Sequence, residues 1–138
     1  MVLVLAGCNR NYELLGPYAL GFDGENVLVA VCEDRVVDRL FMSQATRTGG
    51  SVESERIWEA RGEASLSAGE WLVVSGSNPG LVNSRMVAPD PGPGVRYNIG
   101  INDVPSPYYS ASFTIPDDGL AEGDWVSPTG DVRSTPCG

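Results

Sequence analysis

The side chains that could carry chemistry are unevenly represented: the chain has 18 Asp and Glu residues, nine basic residues that are all Arg, and no His or Lys. Without His there is no Ser-His-Asp or Cys-His arrangement and no imidazole metal ligand. Without Lys there is no Ser-Lys dyad and no amine for a Schiff base. The sequence also contains no nucleophile elbow, phosphate-binding P-loop or CxxC motif. We therefore predict that the protein is not an enzyme and uses no cofactor.

A group of acidic residues near the C-terminus is the remaining candidate for chemistry. Carboxylates in such a group can form a glycosidase pair or supply oxygen ligands to calcium. Their spacing does not match an EF-hand loop, and the segment 116–119, Pro-Asp-Asp-Gly, is typical of a solvated turn. We expect a turn, and keep a carbohydrate-active or calcium-dependent adhesion module as the alternative function. The candidate residues are Asp117, Asp118, Glu122 and Asp124.

Aromatic side chains offer a second candidate, since an exposed ring can stack on a sugar or contact a protein partner. Trp58 and Tyr108 are the candidate contact residues. Tyr108 follows a Pro-rich loop, and alternation along a strand places it on the face opposite to that of Tyr109. For both, a place in the core or at its rim is the alternative. The aromatic residues that alternation along strands is expected to turn inward are Tyr97, Tyr109, Trp71 and Trp125.

The charge balance argues against nucleic acid as a partner. The formal net charge is −9, and the Arg residues are scattered along the sequence. Phosphate backbones require a cationic patch, because counterion release supplies much of the affinity. We expect an acidic, well-solvated surface that does not bind nucleic acid.

Short apolar or alternating segments separated by turn residues dominate the 138-residue chain, which contains 17 Gly and 10 Pro. The alternation in 95–101 and 109–115 predicts strands with one buried face. We expect 35–42 to form a hairpin with 27–32, and the polar stretch 44–55 to hold at most a helical turn. The pattern predicts an all-β protein, an immunoglobulin-like antiparallel β-sandwich of about seven to eight short strands. Further strands are expected at 56–61 and 71–74, with loops at 48–51, 75–80, 89–94 and 104–107.

One local pattern, L-x-x-G-[ED]-W-[LV], occurs twice, at 66–72 and 120–126. Its Gly suits the positive φ of a tight turn. The acidic residue should stay solvated while the Trp enters the core as a strand begins. Immunoglobulin-like domains often have a similar leucine, glycine and aromatic arrangement before a strand. We interpret the two copies as two uses of one turn-to-strand device.

The segment Leu5-Ala6-Gly7-Cys8 resembles the lipobox of bacterial lipoproteins. The resemblance implies cleavage before Cys8, a diacylglyceryl group on its thiol and a polar tether after it. Only seven residues, none of them basic, precede Cys8, whereas a secretory signal has a basic region and a longer apolar one. Either the true start lies upstream or the sequence was trimmed; the alternative is a buried first strand at 2–5. We expect 1–8 to be a truncated signal-peptide end, 9–20 a tether and first strand, and 21–138 one β-sandwich domain.

The cysteine count agrees with this interpretation. There are three cysteines, and an odd number in an exported protein requires an account of the unpaired one. If Cys8 is lipidated, Cys32 and Cys137 remain as a pair that an oxidising compartment would join. Such a disulfide would attach the C-terminal tail to the sheet; two free thiols are the alternative.

These features together resemble small, largely uncharacterised surface lipoproteins of high-GC Gram-positive bacteria. The resemblance rests on the lipobox, a strand ending at Cys32, Gly-Asp-Trp-Val at 123–126 and Ser-Thr-Pro-Cys at 134–137. It implies a β-sandwich held at the extracellular face of the cell membrane by a lipid anchor on Cys8. We predict a non-enzymatic module that binds or supports a protein or a cell-wall glycan.

Overall fold

The computed structural model describes residues 18–48, 50–102 and 110–137. These residues form ten β-strands, and the described part of the chain contains no helix that could span a membrane. The strands are β1 (Tyr18–Phe22), β2 (Val27–Val31), β3 (Arg35–Thr48), β4 (Ser51–Leu66), β5 (Trp71–Val73), β6 (Leu81–Met86), β7 (Arg96–Ile101), β8 (Ser110–Thr114), β9 (Trp125–Val126) and β10 (Val132–Arg133).

The strands form two antiparallel five-stranded sheets that pack against each other. Sheet A has the order β10-β9-β1-β2-β5, and sheet B has the order β6-β4-β3-β7-β8. The predicted all-β sandwich is therefore confirmed. The described residues alone contain ten strands rather than seven or eight, and β3 and β4, with 14 and 16 residues, are not short.

The core lies between the sheets and is built from one face of most strands, as the pleat requires. The alternation predicted for β7 and β8 is confirmed, since Tyr97, Ile99, Ala111 and Phe113 are buried and the two strands pair. The largest fully buried side chains of the shared core include Trp58, Tyr18, Tyr97, Phe113, Leu20, Leu40, Met42, Ile57, Ile99 and Ile101.

The predicted hairpin between 27–32 and 35–42 is wrong. β2 pairs with β1 and β5 in sheet A, whereas β3 pairs with β4 and β7 in sheet B. Residues 32–34 therefore carry the chain from one sheet to the other. The hairpin partner of β2 is β1, and the connecting turn is stabilised by Asp23, whose carboxylate accepts the backbone N–H groups of Glu25 and Asn26. These hydrogen bonds lower the pKa of the Asp23 carboxyl, and the one from Asn26 has the larger effect.

The stretch 44–55 is also not helical. It belongs to the long β3–β4 hairpin, whose register runs from Arg35 opposite Leu66 to Thr48 opposite Ser51. Gly50, directly before Ser51, has the positive φ of +85° that a tight turn between two strands requires.

The first described strand crosses the predicted boundary between 9–20 and 21–138. β1 runs from Tyr18 to Phe22 and pairs on both sides, with β2 and β9. The strand is thus an integral part of sheet A. The predicted lipidation residue Cys8 lies outside the described residues.

Tyr97 makes the fold sensitive to alkaline pH. Its side chain is fully buried and its hydroxyl donates to the backbone carbonyl of Asp90. Burial, and then the negative charge of Asp90, raise the pKa of Tyr97 above its ordinary value of about 10. The unfolded chain therefore loses this proton first, so the stability contributed by the neutral phenol is complete below pH of about 10 and declines above it.

We expect the free energy of unfolding to fall more steeply above pH of about 10 in the wild type than in Tyr97→Phe. The difference in slope should approach about 1.4 kcal/mol per pH unit. At neutral pH the variant should be about 1 kcal/mol less stable, because it lacks the hydrogen bond to Asp90. Urea unfolding from neutral pH to pH of about 11 measures both effects, and parallel curves for the two proteins would exclude Tyr97 as the source.

Candidate functional site

The two copies of the repeated L-x-x-G-[ED]-W-[LV] pattern form the same turn at two places on sheet A. The backbone N–H of Glu70 donates to the carbonyl of Ser67, and that of Asp124 donates to the carbonyl of Ala121. Gly69 and Gly123, the residues between, have φ of +91° and +87°, as predicted. Gly69 donates to Val31 at the end of β2, and Gly123 donates to Phe22 at the end of β1.

The tryptophans that follow these turns do not enter the core between the sheets, which corrects the prediction made for both. Leu72 and Val126 face the shared core, so their neighbours Trp71 and Trp125 lie on the opposite, outer face of sheet A. Trp71 is 51% exposed, whereas Trp125 is 7% exposed within a second, smaller apolar cluster. The alternation along β5 already indicates this orientation in the sequence. Leu72 and Val74 are the apolar pair that faces the core, so Trp71 lies on the opposite face.

The two indoles meet across the outer face of sheet A. Trp71 is on β5 and Trp125 is on β9, three strand spacings or about 14 Å apart in the sheet. Their ring centroids are nevertheless only 5.5 Å apart, at an interplanar angle of 50°. Small residues lie beside both rings, Ala30 next to Trp71 and Gly21 next to Trp125, while Ala19 and Leu28 complete the outer cluster between them.

Gly21 shows why small residues are required there. It lies directly opposite Trp125 in the β1–β9 register. A Cβ atom at this position would lie 2.5 Å from the Trp125 ring, so the indole lies flat against the backbone. This support fixes Trp125, and Trp125 in turn fixes one side of Trp71.

Another side of Trp71 lines an open cleft of about 570 Å³, within the range of small-ligand sites. The cleft lies where the end of β4, the turn before β5 and the loop after β5 meet. Leu66 and Leu72 contribute apolar surface, while Glu63 and Glu70 contribute carboxylates. The arrangement combines one aromatic face with hydrogen-bond acceptors.

The walls of the cleft are held by hydrogen bonds and close backbone contacts. Asn78 is buried; its amide oxygen accepts from the N–H of Val73 at 2.8 Å and its amide nitrogen donates to the carbonyl of Val73 at 3.0 Å. A Cβ on Gly62 would lie 2.0 Å from the carbonyl oxygen of Gly80, so the two backbones are in direct contact. The Glu70 carboxylate accepts the N–H of Ser67 at 2.6 Å. The site is therefore largely formed before a ligand arrives.

The aromatic residues proposed from sequence as contacts are not part of this cleft. Trp58 is fully buried in the core, where its indole N–H donates to Asn83 at 2.8 Å. Its ring is thus closed to a sugar or protein partner. Tyr108 and Tyr109 lie outside the described residues.

The acidic segment near the C-terminus forms turns. The N–H of Gly119 donates to the carbonyl of Pro116 at 2.8 Å, which confirms the turn predicted for 116–119. The carboxylate of Glu122 lies beside Gly24. The described residues contain no group of three or more His, Cys, Asp or Glu side chains that could hold a metal ion. The calcium candidates Asp117, Asp118, Glu122 and Asp124 are therefore not brought together as a site.

The predicted disulfide between Cys32 and Cys137 is present, with 5.3 Å between the two Cα atoms. Cys32 follows β2, and Cys137 follows the edge strand β10, so the bond attaches the C-terminal segment to the middle of sheet A.

In comparisons with known proteins, no family model, curated protein or solved structure matches this chain.

Proposed function

We propose that the protein is a non-enzymatic binding module, held at the outer face of a cell membrane by a lipid on Cys8, whose ligand is a cell-wall glycan. The observation that carries the proposal is Trp71, which is 51% exposed and lines an open, preformed cleft. An apolar side chain of this size is normally buried, and its exposure in a concave site is typical of recognition.

The chemistry of the cleft suits a neutral sugar. The faces of sugar rings carry C–H groups that pack against the electron-rich face of an indole. Sugar hydroxyls can donate hydrogen bonds to the carboxylates of Glu63 and Glu70, which both line the cleft. The same carboxylates disfavour an anionic ligand at this site.

We expect Trp71→Ala to reduce binding to purified Gram-positive cell-wall glycan by at least about tenfold. The stacking surface is lost, whereas the fold should be little affected because half of the side chain is already in solvent. Co-sedimentation with the insoluble glycan, together with Trp fluorescence titration by its soluble fragments, measures the affinity.

The matched control is Val82→Ala, which truncates a 75%-exposed apolar side chain on β6 outside the cleft lining. This variant should bind as the wild type does. Equal binding by Trp71→Ala and the wild type would exclude the cleft as the glycan site. Failure of the wild type to bind any cell-wall glycan would overturn the choice of ligand.

The two carboxylates of the cleft favour a second candidate, a small carbohydrate-active enzyme. Catalysis would require a pair of carboxyl groups on either side of a glycosidic bond, and Glu63 and Glu70 line one cleft. Glu70 is already engaged by the N–H of Ser67, which favours a structural role for it. Release of reducing sugar ends by the wild type, abolished in Glu63→Gln, would replace the non-enzymatic proposal.

The anchor is supported by the sequence Leu5-Ala6-Gly7-Cys8 and by the pairing of the other two cysteines with each other. Its test is the intact mass of protein expressed from its native reading frame in a Gram-positive host and extracted from membranes. A chain that begins at Cys8 and carries a diacylglyceryl group supports the anchor. A retained Met1 with an unmodified Cys8 thiol contradicts it.

A further inference from the structure

The Trp71 cleft carries negative charge that no described residue of its lining balances. Glu63 and Glu70 are the charged residues among the described residues that line it, so two carboxylates and no Arg give the lining a formal charge of −2. Neither carboxylate forms an ion pair with any described residue. Because a cation relieves the repulsion between two like charges in one concave site, the cleft favours a positively charged group on its ligand.

The two carboxylates are held in different ways, and both keep oxygens for a ligand. The N–H of Glu63 donates to the carbonyl of Gly80 at 2.8 Å, which fixes its backbone. The side chain of Glu63 is exposed and makes no hydrogen bond with a described residue. One carboxylate oxygen of Glu70 accepts the N–H of Ser67 at 2.6 Å, so this side chain is positioned and its second oxygen is left for a ligand.

The indole of Trp71 adds an electron-rich face to this charge. Such a face attracts a cation as well as the C–H groups of a sugar ring. Trp125 supports the indole of Trp71 from one side, with 5.5 Å between the ring centroids. Apolar surface from Leu66 and Leu72 lines the same cleft and reduces the screening of the carboxylates by water. The cleft therefore joins a stacking face to uncompensated negative charge.

We propose that the cleft recognises an amino sugar whose amine is free and protonated, rather than N-acetylated. This inference rests on the function proposed above and narrows the ligand of the same site. The sugar ring packs on Trp71, and its ammonium group pairs with Glu63 and Glu70. A sugar with a hydroxyl or an acetamido group at that position keeps the stacking contact but leaves both carboxylates without a counter-charge.

The experiment compares three linear tetrasaccharides of the same linkage that differ only in the group on the second carbon of each sugar: glucosamine, N-acetylglucosamine and glucose. Calorimetry and Trp fluorescence measure their affinities for the full chain at a mildly acidic pH, at which the sugar amine is protonated. We expect the glucosamine tetramer to bind at least about tenfold more tightly than the other two, the difference expected for one charge-assisted hydrogen bond.

The variant that tests the ion pair is Glu63→Gln. It should weaken binding of the glucosamine tetramer at least about tenfold and leave binding of the glucose tetramer unchanged. It should fold well, because Glu63 is exposed. Glu53→Gln is the matched control, since Glu53 is also exposed on β4, changes the net charge equally and lies outside the cleft lining. This control should bind all three sugars as the wild type does.

The net charge of −9 requires a second control, because any polycation is attracted to an acidic chain. Tetralysine carries the same number of side-chain amines but no sugar ring to stack on Trp71, so it should bind more weakly than the glucosamine tetramer. Equal binding of these two ligands, or equal losses in Glu63→Gln and Glu53→Gln, would reduce the effect to general attraction and overturn the proposal.

The sugar series also separates this inference from the function on which it rests. Equal affinities for the three tetrasaccharides, lost together in Trp71→Ala, would support a glycan-binding cleft and overturn the preference for a free amine. Absence of binding by all three would overturn both the preference and the choice of a glycan as ligand.

Discussion

Replacing Cys32 and Cys137 together by Ser is expected to lower the free energy of unfolding by about 4 kcal/mol. The two residues are separated by 105 positions, so the bond closes a loop that includes nearly the whole sandwich. In the chain-entropy model, a loop of about 100 residues removes enough freedom from the unfolded chain to stabilise the fold by about 4.7 kcal/mol. A domain of this size has a total stability of only about 5–15 kcal/mol.

The native structure gives a second reason for a large effect. Strand β10 has two residues and, within the part of the chain that the structure describes, pairs with β9 alone, itself of two residues, at the edge of sheet A. Without the disulfide, the C-terminal segment is held by the β9–β10 pairing and by the hydrogen bonds between Ser127 and Asp131 in the connecting turn. Because β9 carries Trp125, release of this edge should also loosen the contact between Trp125 and Trp71.

Urea unfolding measures the change through both the midpoint and the slope of the transition. The midpoint should fall, and the slope should rise, because an unfolded chain without the cross-link exposes more surface. The melting temperature should fall by roughly 15 °C. Cys8→Ser is the matched control, since it removes the third cysteine and leaves the disulfide intact. A double variant with the wild-type midpoint would show that the disulfide contributes no stability.

Much of the fold could be predicted because apolar and polar residues alternate along the strands that have one face on the core. β7 and β8 alternate cleanly, since one face of each packs on the core and the other meets water. β2 is buried on both faces, by the core and by the outer apolar cluster, so its continuous apolar run does not reveal its neighbours. The sequence therefore predicts β3 as its partner, whereas the actual partners are β1 and β5. The first six residues of β4, 51–56, are exposed, and the sequence there shows no apolar period.

The candidate sites could be predicted only in part, because the order and register of the strands bring together side chains that are far apart in the sequence. The repeated turn and the disulfide followed from local pattern and cysteine count. The contact between Trp71 and Trp125 requires small residues beside both rings, Ala30 next to Trp71 and Gly21 next to Trp125, which only the strand order and register show.

Trp58→Ala is expected to lower the free energy of unfolding by about 3–5 kcal/mol, the usual cost of removing a buried aromatic side chain. The indole of Trp58 is 0% exposed and fills the core under β4. It also donates a hydrogen bond to the side chain of Asn83, whose amide nitrogen donates in turn to the carbonyl of Gly76. This chain of bonds joins the core of sheet B to the loop that leads from β5 in sheet A to β6.

Trp58→Phe separates the two contributions in case the alanine variant does not fold. It keeps most of the apolar volume but leaves the Asn83 oxygen without its donor, so a loss of about 1–3 kcal/mol is expected. Trp71→Phe is the matched control, and because Trp71 is half exposed its loss should stay within about 0.5 kcal/mol. Urea unfolding of the three variants gives the comparison. Equal losses for Trp58→Phe and Trp71→Phe would contradict the assignment of Trp58 to structure and Trp71 to recognition, because the two residues differ in burial and in hydrogen bonding.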